Sequence, residues 1–166
     1  MITALILTDG QLEPLGVTLA ALVPGAAAGL VVNAAVLLLG DDPAVATVAD
    51  EVGAAHVRVG PGPSAWAAGA AVARRDWLFC LEAGDVPQDG WIRAVEAFLA
   101  EAPGPGLGRA GRDGSLIVRP SLWLDRLLGT VEVRAGDLVH RSLLAGQGLS
   151  RRVRPARIDA RIRSRR

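Results

Sequence analysis

The chain contains no lysine, so all 18 of its Lys/Arg positions are arginine. Chemistry that needs a Schiff-base amine or a phosphate-gripping lysine is thereby excluded, and with it the P-loop, whose glycine-rich signature is also missing. Tyrosine is absent, and four tryptophans and two phenylalanines bring the aromatic content to only 4%. That is too little to interleave a basic stretch with base-stacking platforms, and no RNA-binding motif occurs, so specific nucleic-acid recognition is not expected. A single cysteine, Cys80, rules out an internal disulfide and suits a reducing compartment, the cytoplasm. Cys80 falls within an apolar segment and reads as buried and inert.

What is present describes one globular domain. Hydrophobic residues make up 51% and charged residues 21% of 166, enough to bury a core without staples. The net charge of +1 conceals an asymmetry. Residues 149–166 carry eight arginines against Asp159 alone, whereas residues 1–148 carry ten arginines against sixteen acids. The expected organisation is an acidic α/β domain over 1–148 and a basic tail over 149–166 that lacks core periodicity and is partly disordered. The tail has three readings: solvated charge, attraction to an anionic membrane surface at the inner face, or binding to nucleic acid.

No charge occurs in the 27 residues between Glu13 and Asp41, a length sufficient for a membrane span. Pro24-Gly25, Gly29 and Asn33 interrupt it, dividing the run into a helical piece and a β-branched piece of strand length over 31–39. With no positive cluster before it and no convincing cleavage site, neither a span nor a signal peptide is expected.

The periodicity alternates along the chain. Residues 2–8 (ITALILT) form a buried-type strand closed by Asp9-Gly10, and Leu15, Leu19, Leu22 and Val23 then share one helical face that Pro24 is expected to end. A second strand ends near Leu39, Asp42 caps a helix with Pro43 at its first position, and Gly53 stops it. Strands over 55–59 and 76–81 flank an alanine-rich helix over 65–75, and an amphipathic helix follows over 91–99. Strands separated by helices imply a parallel sheet whose ligands bind at the carboxyl ends, where Asp9, Asp41 and the loop Glu82-Ala83-Gly84-Asp85 all fall. Beyond Ala102 the pattern weakens: a loop over 103–108, strands over 115–118 and 131–133, and a short helix over 121–128 are expected.

The stretch AAGAAVARRDWLFCLEAGDVPQDGW, residues 67–91, resembles a helix, strand, acidic motif and following helix start of the family-2 glycosyltransferases with the GT-A fold, particularly short bacterial members. LGVTLAALVPGAAAGLV (15–31) and VADEVGAAHV (48–57) are similar to that family's first helix and to its second helix and third strand, in the same order. The resemblance implies a single three-layer α/β/α domain with a mainly parallel sheet. It also implies transfer of a sugar from a nucleoside-diphosphate sugar to an acceptor, with Mg²⁺ or Mn²⁺ neutralising the diphosphate leaving group.

The family's metal-binding Asp-x-Asp matches Glu82-Ala83-Gly84 here, with Asp85 one place further, so Glu82 and Asp85 are the implied metal ligands at a changed spacing. The nucleoside-binding positions correspond to Asp41, within Leu39-Gly40-Asp41-Asp42, and to Asp9, within Leu7-Thr8-Asp9-Gly10. For the general base, Asp137 is the candidate, in the one late cluster that combines Gly136-Asp137 with His140-Arg141. Because these motifs depart from the family's pattern, a second reading stands beside the enzyme: a non-catalytic relative acting as a binding or scaffold subunit. A nucleotidyltransferase is disfavoured by the missing glycine-rich loop and lysine.

Blander roles compete for the same residues. Asp42 reads as a helix cap, Asp9 as an Asx-turn former, and His56 as packing at a strand end. Asp137 and His140 read as an i,i+3 pair on a short helix, and Trp66, Trp77 and Trp91 as core.

Overall fold

A computed structural model describes residues 1–60, 64–102, 104–113, 132–144 and 153–164. The apolar run Ile2–Thr8 forms β1, buried on both faces, and the period then changes to the helical one over Leu12–Ala27 (α1). The alternation continues through β2 (Val31–Leu39), α2 (Pro43–Glu51), β3 (Ala55–Val59), α3 (Ser64–Val72) and β4 (Trp77–Glu82). A short strand β5 (Asp85–Pro87) and helix α4 (Trp91–Glu101) follow, and β6 (Leu107–Asp113), β7 (Asp137–His140) and β8 (Ala156–Ser164) complete the set.

The eight strands form one sheet in the order β3-β2-β1-β4-β7-β6-β8-β5. β3, β2, β1 and β4 are parallel neighbours, β7 joins β4 and β6 in antiparallel fashion, and β8 lies parallel to β6 and antiparallel to β5. Four of these seven pairings are parallel, so the sheet is mixed, with its wholly parallel part in the first half of the chain.

The two faces bury separate cores. Leu15 and Leu22 of α1, Val45 and Ala49 of α2, and Trp91 and Val95 of α4 pack with Ile6 and Phe79 on one face. Ala65, Trp66 and Ala70 of α3 pack with Leu5, Leu37 and Cys80 on the other. This is the expected α/β/α layering. A Cβ on Gly69 of α3 would stand 2.9 Å from Leu5 Cδ1 and 3.0 Å from Leu37 Cδ2, so the missing side chain lets this helix lie close on the sheet. Trp66 and Trp91 are buried, Phe79 stacks on Trp91, and Trp77 meets Phe98 and His140 edge-on, so all three tryptophans are packing residues.

Several expectations are corrected. Pro24 does not end α1, which runs on to Ala27. Its last turn is closed by the Leu30 N–H donating to Gly25 O, and Gly25 lies against Trp91, so tertiary packing outweighs the roughly 3 kcal/mol that an internal proline costs. The loop expected over 103–108 gives way to β6 at Leu107, and Asp137 and His140 lie on a strand, not a helix. Residues 132–134 form no strand, while the elements expected over 115–118 and 121–128 lie outside the described residues.

The largest correction concerns the basic tail, because Ala156–Ser164 is a strand held between β6 and β5. Ile158, Ala160 and Ile162 alternate into the core with α4, while Arg157, Arg161 and Arg163 are exposed on the opposite side. A period of two suits a strand buried on one face, and the intervening charges are its other face. Among the described residues no helix is long and apolar enough to cross a membrane. The uncharged run is helix, turn and strand.

Candidate functional site

Because β2, β1 and β4 are adjacent and parallel, their carboxyl ends converge on one edge of the sheet. The β1 exit turns at Gly10, whose N–H donates to Thr8 Oγ1 (3.2 Å), while Asp9 accepts from the Gln11 N–H (3.4 Å) and Gln11 Nε2 (3.0 Å). Asp42 accepts from the Ala44 N–H at 2.9 Å, making it the N-cap of α2 as the sequence suggested. A Cβ on Gly10 would lie 3.4 Å from Asp42 Oδ2, so the β1 and β2 exits meet there. Asp41 instead turns to an exposed ion pair with Arg58 of β3.

The acidic loop is the most constrained part of this edge. The Ala83 N–H donates to Leu7 O at 2.8 Å, continuing the β4–β1 pairing, and Gly84 then reverses the chain at φ +91°, a conformation that favours glycine. The Gly84 N–H is shared between Pro14 O and Thr18 Oγ1, both at 2.9 Å, and the Thr18 hydroxyl faces Glu82 O at 3.3 Å. Thr18 is fully buried on α1 and ties the loop to that helix. The signal for it was present: one hydroxyl residue between Leu15 and Leu22 on the buried face of an otherwise apolar helix. Replacing Thr18 with Val keeps the shape but removes one acceptor from a buried N–H. The expected loss is about 1 kcal/mol, read from the urea midpoint, with faster hydrogen exchange at the Gly84 amide. An unchanged exchange rate there would show that the hydroxyl does not hold the loop.

Past Gly84 the chain folds back, and Asp85 becomes completely buried. Its Oδ2 accepts from the Glu82 N–H at 2.9 Å and its Oδ1 from Arg112 Nη2 at 2.6 Å. The same Nη2 donates to Glu82 Oε2 at 2.9 Å, so Arg112 of β6 stands between the two acids that the sequence proposed as metal ligands. Burial pushes the Asp85 carboxyl up; the Glu82 N–H and the Arg112 guanidinium pull it back without cancelling the rise. Since its folded value is raised, ionised Asp85 opposes folding at neutral pH, and that opposition is relieved as pH falls through the folded value towards the unfolded one. Burial pulls Arg112 down, but its bonds and charge contacts with Glu82 and Asp85 outweigh this, so it remains firmly protonated. Sequence reasoning missed Arg112, which lies 30 positions from Glu82 and is joined to it only by the sheet order.

Asp137 is not part of this group. It is fully buried and held by Arg109 through two bonds, Nε to Oδ1 at 2.7 Å and Nη2 to Oδ2 at 2.8 Å, with the Arg134 N–H donating to Oδ2 at 3.1 Å. Both oxygens are engaged, in an ion pair that joins β6 to β7. His140 bonds Ser142 through Nδ1 instead, and His56 meets Asp50 at the surface (3.4 Å) rather than packing. Cys80 is buried, and burial followed by the Asp137 charge pushes its thiol well up, which makes it inert.

Among the described residues no three His, Cys, Asp or Glu side chains are grouped to cage a metal. A divalent ion carried mainly by phosphate oxygens needs few protein carboxylates, and of the two acids expected to meet it Asp85 already has both oxygens in hydrogen bonds and Glu82 bonds Arg112.

No protein-family model and no curated sequence matches the chain. Solved structures do. Glucosyl-3-phosphoglycerate synthase from Mycobacterium tuberculosis with UDP matches at TM-score 0.63 and 22% identity, over 86% of this chain and 57% of that one. The same enzyme with Mn²⁺, UDP and phosphoglyceric acid matches at TM-score 0.61 and 21% identity, over 86% and 56%. With Mg²⁺ and UDP it matches at TM-score 0.61 and 20% identity, over 86% and 57%. The chain therefore spans a little over half the length of these neighbours, which hold UDP together with a divalent cation in two of the three structures. An eight-stranded mixed sheet, layered with helices on both faces, gives this chain the fold of the GT-A glycosyltransferases.

Proposed function

We propose that the chain binds a nucleoside-diphosphate sugar at the shared carboxyl edge of β1, β2 and β4 and serves as the donor-binding part of a glycosyltransferase. The observation that carries this reading is the acidic loop, held in a fixed shape at the end of β4 by Thr18 and Pro14, beside the β1 exit. The neighbours in fold, which bind UDP, support it. Asp9 and Asp41 stand at the exits of β1 and β2 to accept hydrogen bonds from the nucleoside. Glu82 is the carboxylate for a Mg²⁺ or Mn²⁺ that arrives on the diphosphate. Such an ion offsets the charge that grows on the leaving group. An anionic lipid surface remains the proposed partner of the exposed arginines of β8.

The second reading, a binding or scaffold subunit without turnover, is favoured by the burial of Asp137 within its pair with Arg109. The two readings share the site and differ in chemistry. Calorimetric titration with UDP-, GDP- and dTDP-sugars, with and without Mn²⁺, is expected to give saturable heat with at least one donor. Glu82→Ala is expected to remove the Mn²⁺-dependent part. Slow hydrolysis of the bound donor separates the enzyme from the scaffold. No heat from the wild type at millimolar ligand would sink both.

A further inference from the structure

We propose that Arg112 is a built-in counter-charge for the diphosphate, so that this site binds its nucleotide without depending on a divalent cation; the inference rests on the nucleotide reading above. Arg112 takes the place between Glu82 and Asp85 where a metal held by those two acids would lie. Both contacts leave from one nitrogen, Nη2, and neither Nε nor Nη1 has a partner among the described residues. The side chain keeps 21% of its surface exposed, so the guanidinium is oriented by the acids yet still open to solvent on its remaining donors. A planar, permanently charged fork fixed in this way suits a phosphate better than a mobile surface arginine does, because its orientation is set before the ligand arrives.

The same geometry explains why the two acids do not form a metal cage. Asp85 is completely buried, and among the described residues its charged partners are Arg112, which it bonds, and Glu82, which it repels. Loss of the guanidinium removes the one cation of the three groups and leaves two acids. A diphosphate then loses its donor, and a divalent ion arriving with it meets two carboxylates. The structure thus assigns opposite metal responses to the wild type and to a variant that lacks the arginine.

The test is titration of UDP and of uridine into wild type and Arg112→Gln, each in EDTA and in excess Mn²⁺. In EDTA the wild type is expected to bind UDP at least about tenfold more tightly than uridine, the value of one charge-assisted contact to phosphate. Arg112→Gln in EDTA is expected to bind the two equally, and Mn²⁺ is expected to restore the preference for UDP in the variant far more than it raises it in the wild type. Because Arg112→Gln leaves a buried acid without its cation, Arg112→Gln with Asp85→Asn is measured alongside. It removes the stranded charge and is expected to lose the preference in EDTA likewise. The proposal is overturned if wild-type preference for UDP appears only with Mn²⁺, or if either variant keeps that preference in EDTA, since Arg112 then only neutralises its two acids. A wild type that binds neither ligand in either medium refutes the nucleotide reading itself, and this inference with it.

Discussion

A chain ended after residue 152 is expected to lose its cooperative unfolding transition. β8 is not a terminal appendage; it lies between β6 and β5, and its removal leaves β6 with an open edge and β5 without its strand partner. It also withdraws Ile158, Ala160 and Ile162 from the core that they share with Trp91 and Val95 of α4. Truncating one buried isoleucine to alanine costs about 2 to 5 kcal/mol, and a domain has only about 5 to 15 kcal/mol in total, so losing two isoleucines and two ladders exceeds what the fold can spare. Thermal melts followed by circular dichroism decide the matter. Two point variants calibrate them: Ile162→Ala is expected to lose about 2 to 5 kcal/mol, and Arg161→Ala, on the exposed face, to stay within about 0.5 kcal/mol. If the shortened chain melts cooperatively within a few degrees of the full one, β8 contributes nothing to the core.

That strand also marks where sequence reading failed and why. The first half of the chain was legible because each element announces itself locally. The buried run of β1 gives way to helical spacing at Leu15 and Leu22, and Asp42-Pro43 caps and starts α2. The strands of the second half are short or interrupted by glycine and charge, as in LGRAGRD of β6 and DLVH of β7. In Ala156–Ser164 the alternate residues Ile158, Ala160 and Ile162 are buried, but Asp159 and Arg161 separate them, and a composition that suggests a solvated tail hides a period of two. The candidate site divides along the same line. Glu82 and Asp85 were found because they follow a buried strand. Their partner Arg112 was not, because no local pattern links β6 to the end of β4; the pairing exists only once the sheet has placed β7, β6 and β8 in order.

Replacing Arg109 with Met is expected to destabilise the protein by about 3 to 5 kcal/mol, because it strands a carboxylate that has no access to water. Asp137 is fully buried, and among the described residues Arg109 is its one charged partner, through two bonds of 2.7 and 2.8 Å. In a domain of this size the loss corresponds to about 6 to 20 °C in melting temperature. Burial of the pair is not itself a source of stability, since taking both ions out of water costs about as much as their attraction returns. The double variant Arg109→Met, Asp137→Leu is therefore expected to recover most of the loss, short of the roughly 1 to 3 kcal/mol caused by leaving the Arg134 N–H without its acceptor. Such a recovery identifies Asp137 as a structural group. A stable Asp137→Asn variant that binds donor normally but cannot hydrolyse it would point the other way, to a carboxylate used in catalysis. Equal instability of the single and double variants would mean that packing at β6 and β7, and not the stranded charge, sets the cost.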